Sequence, residues 1–171
     1  MNRFLGVAVL AVLIIAGSQR AVAQNIKFAH INTDELIQAL PDYDSATTKL
    51  ESFRKDLLNA LELMTVDFNN KNDAYQRDLK TFTDVVRQTK EQELVDMNRR
   101  IQEFQNNAQT QLQDKQAELI QPIMAKVDKA IKDVGKENGF VYVFDTKALL
   151  YFDESKSTNI LPMAKAKLGI K

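Results

Sequence analysis

The sequence predicts a mostly α-helical chain with a small β part, in which a long antiparallel helical hairpin rises from short strands. Three observations carry this. No Gly or Pro occurs from Asp42 to Gln121, a run of about eighty residues and far longer than an ordinary globular helix. Within that run the apolar residues recur every eleven positions. Strand-like segments lie only outside it, at the two ends of the chain.

The N-terminus has the pattern of an export signal. Arg3 supplies a positive start, Leu5 to Ala16 is almost wholly apolar, and Ala21-Val22-Ala23 has the small-x-small form of a cleavage site. The apolar run is short for a bilayer span, and no Cys follows it to carry a lipid. Cleavage after residue 23 leaves 148 residues (171 minus 23), read as one domain over 24–171. The expected divisions are a body at 24–48 and 118–171 and a helical hairpin at 49–117. No stable membrane insertion is expected once the signal is removed.

Arg3 and Arg20 leave with the signal, so 21 basic face 23 acidic residues, a formal charge of −2. A nucleic-acid binder would show a basic face, so no nucleic acid is expected as partner. There is no Cys, so stability must come from packing or oligomerisation.

Ile26 to Asn32 reads as a strand, followed by a short helix from Asp34 to Leu40 with Thr33 as its cap. From about Asp42 the pattern is helical. Phe53, Met64, Tyr75, Val86, Met97, Ala108, Leu119 and Ala130 are each eleven apart. Leu57, Phe68 and Leu79 form a second line, resumed past Lys90 by Ile101, Leu112, Ile123 and Val134. An eleven-residue repeat keeps an apolar stripe almost straight along a helix, which is a coiled-coil signal. One unbroken helix from Asp42 to Asn138 would be about 145 Å long and would leave the end strands without partners. A turn near 81–84 avoids this, since Thr83 is an N-cap candidate with Asp84 behind it. Residues facing each other across the arms should then have numbers summing to roughly 164, because both helices rise equally.

Pro122 should kink the second arm, and Asn138-Gly139 should end it. Phe140 to Phe144 and Ala148 to Phe152, separated by Asp145-Thr146-Lys147, read as a β-hairpin. Both strands are apolar on both faces, so the sheet needs cover on each side. Asp153 to Ser157 reads as a loop, and Pro162 and Gly169 bracket a final helix.

Catalytic and metal constellations are missing, so an enzyme is not expected. His30 is the only His, too few for a zinc site and placed where a strand residue would be. Glu91 with Glu93 and Asp153 with Glu154 read as solvated charge, because acid–base work needs a desolvated pocket. No phosphate loop is present, and no cofactor is expected. Among the apolar arm residues, Phe68, Tyr75, Phe82, Met97 and Phe104 are the candidate binding contacts. Most lie on the eleven-residue lines and suit arm packing first; Phe82 and Phe104 fall off them. Asn69-Asn70-Lys71-Asn72 puts a polar block in mid-arm, where a bend is expected.

Ile31-Asn32-Thr33 with Leu36 and Leu40-Pro41 resembles the first strand and helix of the Skp/OmpH-like periplasmic chaperones. So do Gln121-Pro122, Glu137-Asn138-Gly139-Phe140-Val141-Tyr142-Val143-Phe144-Asp145 and Leu149-Leu150-Tyr151. The Lys165-Ala166-Lys167-Leu168-Gly169 ending resembles the Bacteroidetes-type members. The resemblance implies a homotrimer in which each chain lends strands to a shared body, here from Ile31, Phe140, Tyr142, Val143, Phe144, Leu149 and Tyr151. Three hairpins then project around a cavity that holds unfolded outer-membrane β-barrel proteins without ATP. It also implies a periplasmic location. Members of the family are strongly basic where this mature chain is slightly acidic, so no lipopolysaccharide-binding residue is carried over. An adaptor coiled coil with one folded partner is the alternative; it would need a compact hot spot.

Overall fold

A computed structural model describes residues 26–170. Strand β1 (Phe28–Ile31) leads into helix α1 (Thr33–Gln38), then the first arm α2 (Pro41–Asp78). A 3-10 turn at Leu79–Thr81 reverses the chain into the second arm α3 (Asp84–Glu137). Strand β2 (Tyr142–Asp145), 3-10 turns at Thr146–Ala148 and Glu154–Lys156, strand β3 (Ser157–Asn159) and helix α4 (Leu161–Lys167) complete it. The architecture is the hairpin, not the rod.

Local chemistry sets each boundary. Asn32, rather than Thr33, caps α1: its Oδ1 accepts from the Glu35 N–H at 3.2 Å, and Thr33 becomes the first helical residue. Pro41 opens α2 at a position that needs no donor. Thr83 caps α3, its Oγ1 accepting from the Val86 N–H at 3.4 Å. Pro122 lies inside α3 without ending it, and α2 likewise passes unbroken through Asn69–Asn72. Gly139 adopts φ 68°, and two bonds close the helix end: Phe140 N–H to the Gly135 carbonyl at 3.0 Å and Gly139 N–H to the Lys136 carbonyl at 3.3 Å.

The sheet has the order β2-β1-β3, and both pairs are parallel. The expected β-hairpin is therefore not formed. Two-residue hairpin turns favour residues with positive φ, typically Asn-Gly, and Asp145-Thr146-Lys147 has none. Instead the Asp145 carboxylate accepts from the Lys147 N–H at 3.0 Å and winds a 3-10 turn. Ala148 to Phe152, expected as a strand, has no ladder partner, and Ala148 ends the 3-10 turn. The third strand is the polar Ser157-Thr158-Asn159, paired with β1 from Phe28 to His30; the expected loop holds its first residue.

One sheet face carries Ala29 and Ile31 into the core, against Leu36, Ile123, Val127, Val134, Ile160 and Ala164 of the surrounding helices. Four ion pairs tie the elements around it. Lys126 meets Asp42 at 2.8 Å and Lys165 meets Glu35 at 3.3 Å; Lys147 pairs with Asp34, and Lys167 with Glu137.

Outward from this body the hairpin is two helices thick, and its core thins. Among the described residues of α2, only Ala46 and Tyr75 are buried. Contacts near the tip fix the register. Lys71 Nζ donates to Glu93 at 2.7 Å, and Tyr75 Oη donates to Glu91 at 2.6 Å. The first pair of numbers sums to the expected 164, and the second to 166. Tyr75 also stacks on Phe82 with ring centroids 6.0 Å apart.

These tip contacts titrate in opposite senses. Hydrogen bonds from Lys71 and then Lys90 hold the Glu93 carboxyl below its usual range. A depressed carboxyl stabilises the fold above its unfolded pKa, and that stability is lost as pH falls through the folded value. The bond to Glu91 raises the Tyr75 phenol, so its contribution is complete below the unfolded value near 10 and lost as pH rises through the folded one. Arm pairing should thus loosen below about pH 4 and again above about pH 10. Spin labels at Asn70→Cys and Asn98→Cys should report a longer inter-arm distance in acid, a change that Glu93→Gln should largely abolish. The two glycines at the end of α3 should respond oppositely. Gly139→Ala forces a side chain into positive φ and should cost about 1–2 kcal/mol in denaturant unfolding. A Cβ at Gly135 meets Val143 Cγ2 at an ordinary 3.5 Å, so Gly135→Ala should be neutral or stabilise by up to about 1 kcal/mol.

Candidate binding surfaces

The arms and the body present two different apolar surfaces. On the arms, burial follows the eleven-residue lines only in part: Leu79 and Val86 lie on them and are exposed, and Phe82 and Phe104 lie off them and are half-buried. Phe68, Met97 and Phe104 are half-buried, Tyr75 is 8% exposed, and Phe82 is half-covered by Tyr75. The fully displayed apolar residues are aliphatic: Leu63 at 72%, Val85 at 74% and Val95 at 60%, with Leu58 and Val66 near half. All five fall off the eleven-residue lines. That was the signal for them, since a large apolar side chain outside the packing stripe has no helix to cover it. Attention to aromatic and Met residues passed over them.

The body's second surface is the sheet face turned away from the core. The β1–β2 register places Phe28 opposite Tyr142 and His30 opposite Phe144, so these four side chains share one side. Phe28 stacks on Tyr142 at 6.2 Å, and Tyr142 on Phe144 at 5.8 Å. Phe28, Tyr142 and Phe144 are exposed, as are Leu150 and Tyr151 on the segment that follows. Leu150 reaches 108% exposure, so none of the described residues covers it. Phe152 folds back over His30, centroids 4.6 Å apart, and His30 Nδ1 lies 2.8 Å from Ser157 Oγ. The sole histidine is thus a satisfied strand residue.

The residues expected to furnish the body divide between the two faces. Ile31 is buried in the core, and Phe140 and Val143 pack against it. Tyr142, Phe144 and Tyr151 are displayed, and Leu149 lines the depression between Phe28 and Tyr151. Among the described residues there is no group of three metal-ligating side chains, and no helix is long and apolar enough to cross a membrane. The export signal and its cleavage site lie outside the described residues.

The model of the family described as "Outer membrane protein (OmpH-like)" matches residues 27–168. The chain is 29% identical over 159 residues to "Chaperone protein Skp" of Yersinia enterocolitica, covering 91% of this chain and 93% of that one. It is 31% identical over 144 residues to the protein of the same name from Photorhabdus laumondii, covering 81% and 86%. Its fold is similar to the crystal structure of a putative outer membrane chaperone (OmpH-like) from Caulobacter crescentus, with TM-score 0.73 at 10% identity over 84% of this chain and 83% of that one. A body closed by the two chain ends, a helical hairpin between them and a match across nearly the whole described length lead to one assignment: the chain belongs to the OmpH-like outer membrane protein family.

Proposed function

We propose that this protein is a non-enzymatic, ATP-independent periplasmic holdase that keeps unfolded outer-membrane β-barrel proteins from aggregating. The single observation that carries the reading is the set of displayed aliphatic residues spread over a thin, one-end-anchored hairpin, led by Leu63, Val85 and Val95. Strands of outer-membrane barrels alternate apolar and polar residues. Many weak aliphatic contacts retain such a segment without imposing structure on it, whereas a single hot spot would select one partner. The chaperone names of the relatives support the same reading.

Three copies are proposed to join through the aromatic sheet face. Phe28, Tyr142, Phe144, Leu150 and Tyr151 form an uncovered apolar surface, of the kind that marks an association site. Association would cover this bare sheet face. Client contacts are assigned to the displayed aliphatics, with Phe68, Phe82, Met97 and Phe104 joining where the arms part. The export signal places the mature chain in the periplasm in this reading.

Two experiments check this. Leu150→Asp with Tyr151→Asp should convert a trimer into a folded monomer, weakening association at least ~100-fold because two charges enter an apolar contact; sedimentation and circular dichroism read both properties. A trimer that persists would remove this surface from the assembly. Deleting 66–98 and bridging the ends with a short Gly-Ser linker removes both distal arms in register. The product should remain trimeric yet fail to suppress light scattering by an outer-membrane barrel diluted from urea, which the full chain suppresses at stoichiometric trimer. Equal protection by the shortened trimer would move client binding to the body.

A further inference from the structure

The two flanks of the hairpin differ chemically along the second arm. Asn98, Gln102, Gln105, Gln109, Gln113 and Gln116 follow one another at steps of four, three, four, four and three. At 100° per residue they share one side of α3, a stripe about 27 Å long. All six are exposed. The stripe holds no charge, in a chain that is 27% charged, so it departs from an ordinary solvated helix face. By helical spacing and the register of the arms, Leu58 and Thr65 stand beside it on α2, together with Glu62 and the Arg54–Glu51 ion pair. The opposite flank is ionic: Lys71 bridges Asp67 at 3.9 Å and Glu93 at 2.7 Å, and Arg100 lines the same groove. Apart from a 3.4 Å bond from Gln102 Nε2 to Asn98 Oδ1, the six amides have no side-chain partner among the described residues.

We infer that this stripe is an amide ladder that binds the peptide backbone of an extended client segment; the inference rests on the holdase reading. A carboxamide offers two donors and an oxygen acceptor, so it can satisfy both the N–H and the C=O of a client, whereas an ammonium only donates and a carboxylate only accepts. The backbone is the one feature common to every unfolded chain, and a ladder that reads it needs no particular client sequence. The length of the stripe corresponds to about eight residues of extended chain, close to the ~9–11 of one membrane-spanning strand. Leu58 beside the ladder takes the apolar side chains that alternate along such a strand. Neutral amides also fit a mature chain with little net charge, which lacks the long-range attraction a basic protein would use.

The test uses the full-length protein and a fluorescently labelled, urea-unfolded outer-membrane β-barrel. Gln102, Gln105, Gln109 and Gln113 are replaced together by Ala in one variant and by Asn in a second. Ala favours the helix, so helicity and trimer mass should be unchanged. A control variant carries Arg100→Ala, Asn107→Ala, Gln111→Ala and Asp114→Ala on the other flank. The Ala ladder variant should bind the client about tenfold more weakly. The Asn variant should stay within about threefold of the parent and the control within about twofold, with the parent's affinity nearly flat in salt. If the Ala ladder variant binds within twofold of the parent, or the control loses as much, the ladder is overturned and the holdase stands. If the parent itself binds no client, both readings fall together.

Discussion

Everything in this molecule hangs on the pairing of β1 with β2 and β3. Both ladders are parallel, and parallel strands cannot be joined by a tight turn; a crossover must carry the chain back to its starting side. Here the crossover between β1 and β2 is the whole hairpin. Phe28 finds Tyr142 only because α3, with 54 residues against 38 in α2, returns the whole length of α2 and runs on through the core of the body. The four ion pairs around the core, from Asp34, Glu35, Asp42 and Glu137 to their lysines, sit where the crossover enters and leaves. Each is partly exposed and contributes modestly; the buried side chains of β1, α1, α3 and α4 supply most of the cohesion.

The arms obey a different economy. Two helices have one mutual face, so half-burial is the most that residues such as Phe53, Leu57 and Leu112 reach. What the pair lacks in core it makes up with local devices: helix-spaced ion pairs such as Arg54 with Glu51 and Arg99 with Glu103, a capped turn at Thr83 and the Tyr75–Phe82 stack. The same thinness leaves aliphatic residues and amides in water. In a globular domain either would be a flaw, and in a surface that must meet many unfolded chains both become useful.

How much was legible in the sequence follows from how local each signal was. The eleven-residue spacing, Thr83, Gly139 and Pro162 act within one or two helical turns, and the helices and their ends were readable from them; the choice of hairpin over rod rested on end strands that needed partners. The sheet was not. β3 is Ser-Thr-Asn, a polar triplet without β-branched bulk apart from Thr158, and its place is fixed by a partner 129 positions away at Phe28–Ser157. Ala148 to Phe152 has strand composition, yet its aromatic residues lie over the sheet face instead of entering a ladder, because the turn at Thr146 sends the chain across and not back. The displayed aliphatics were present as off-stripe positions, but composition drew attention to aromatic rings. The division of Ile31 and Val143 from Tyr142 and Phe144 needed the strand register itself.

The distance between β1 and its partners also governs when the protein comes into being. Synthesis runs from the N-terminus, so β1 appears before both arms and its two neighbours only after them. Helical arms organise from contacts a few residues apart, quickly and in any fragment long enough. The body waits for the segment from Tyr142 to Lys167. A chain interrupted before Tyr142 would therefore hold folded arms on an unclosed base, its core residues open to water. Arrival of the segment from Tyr142 to Asn159 and closure of the body are one event, and only chains that carry that segment present the surface through which copies would meet.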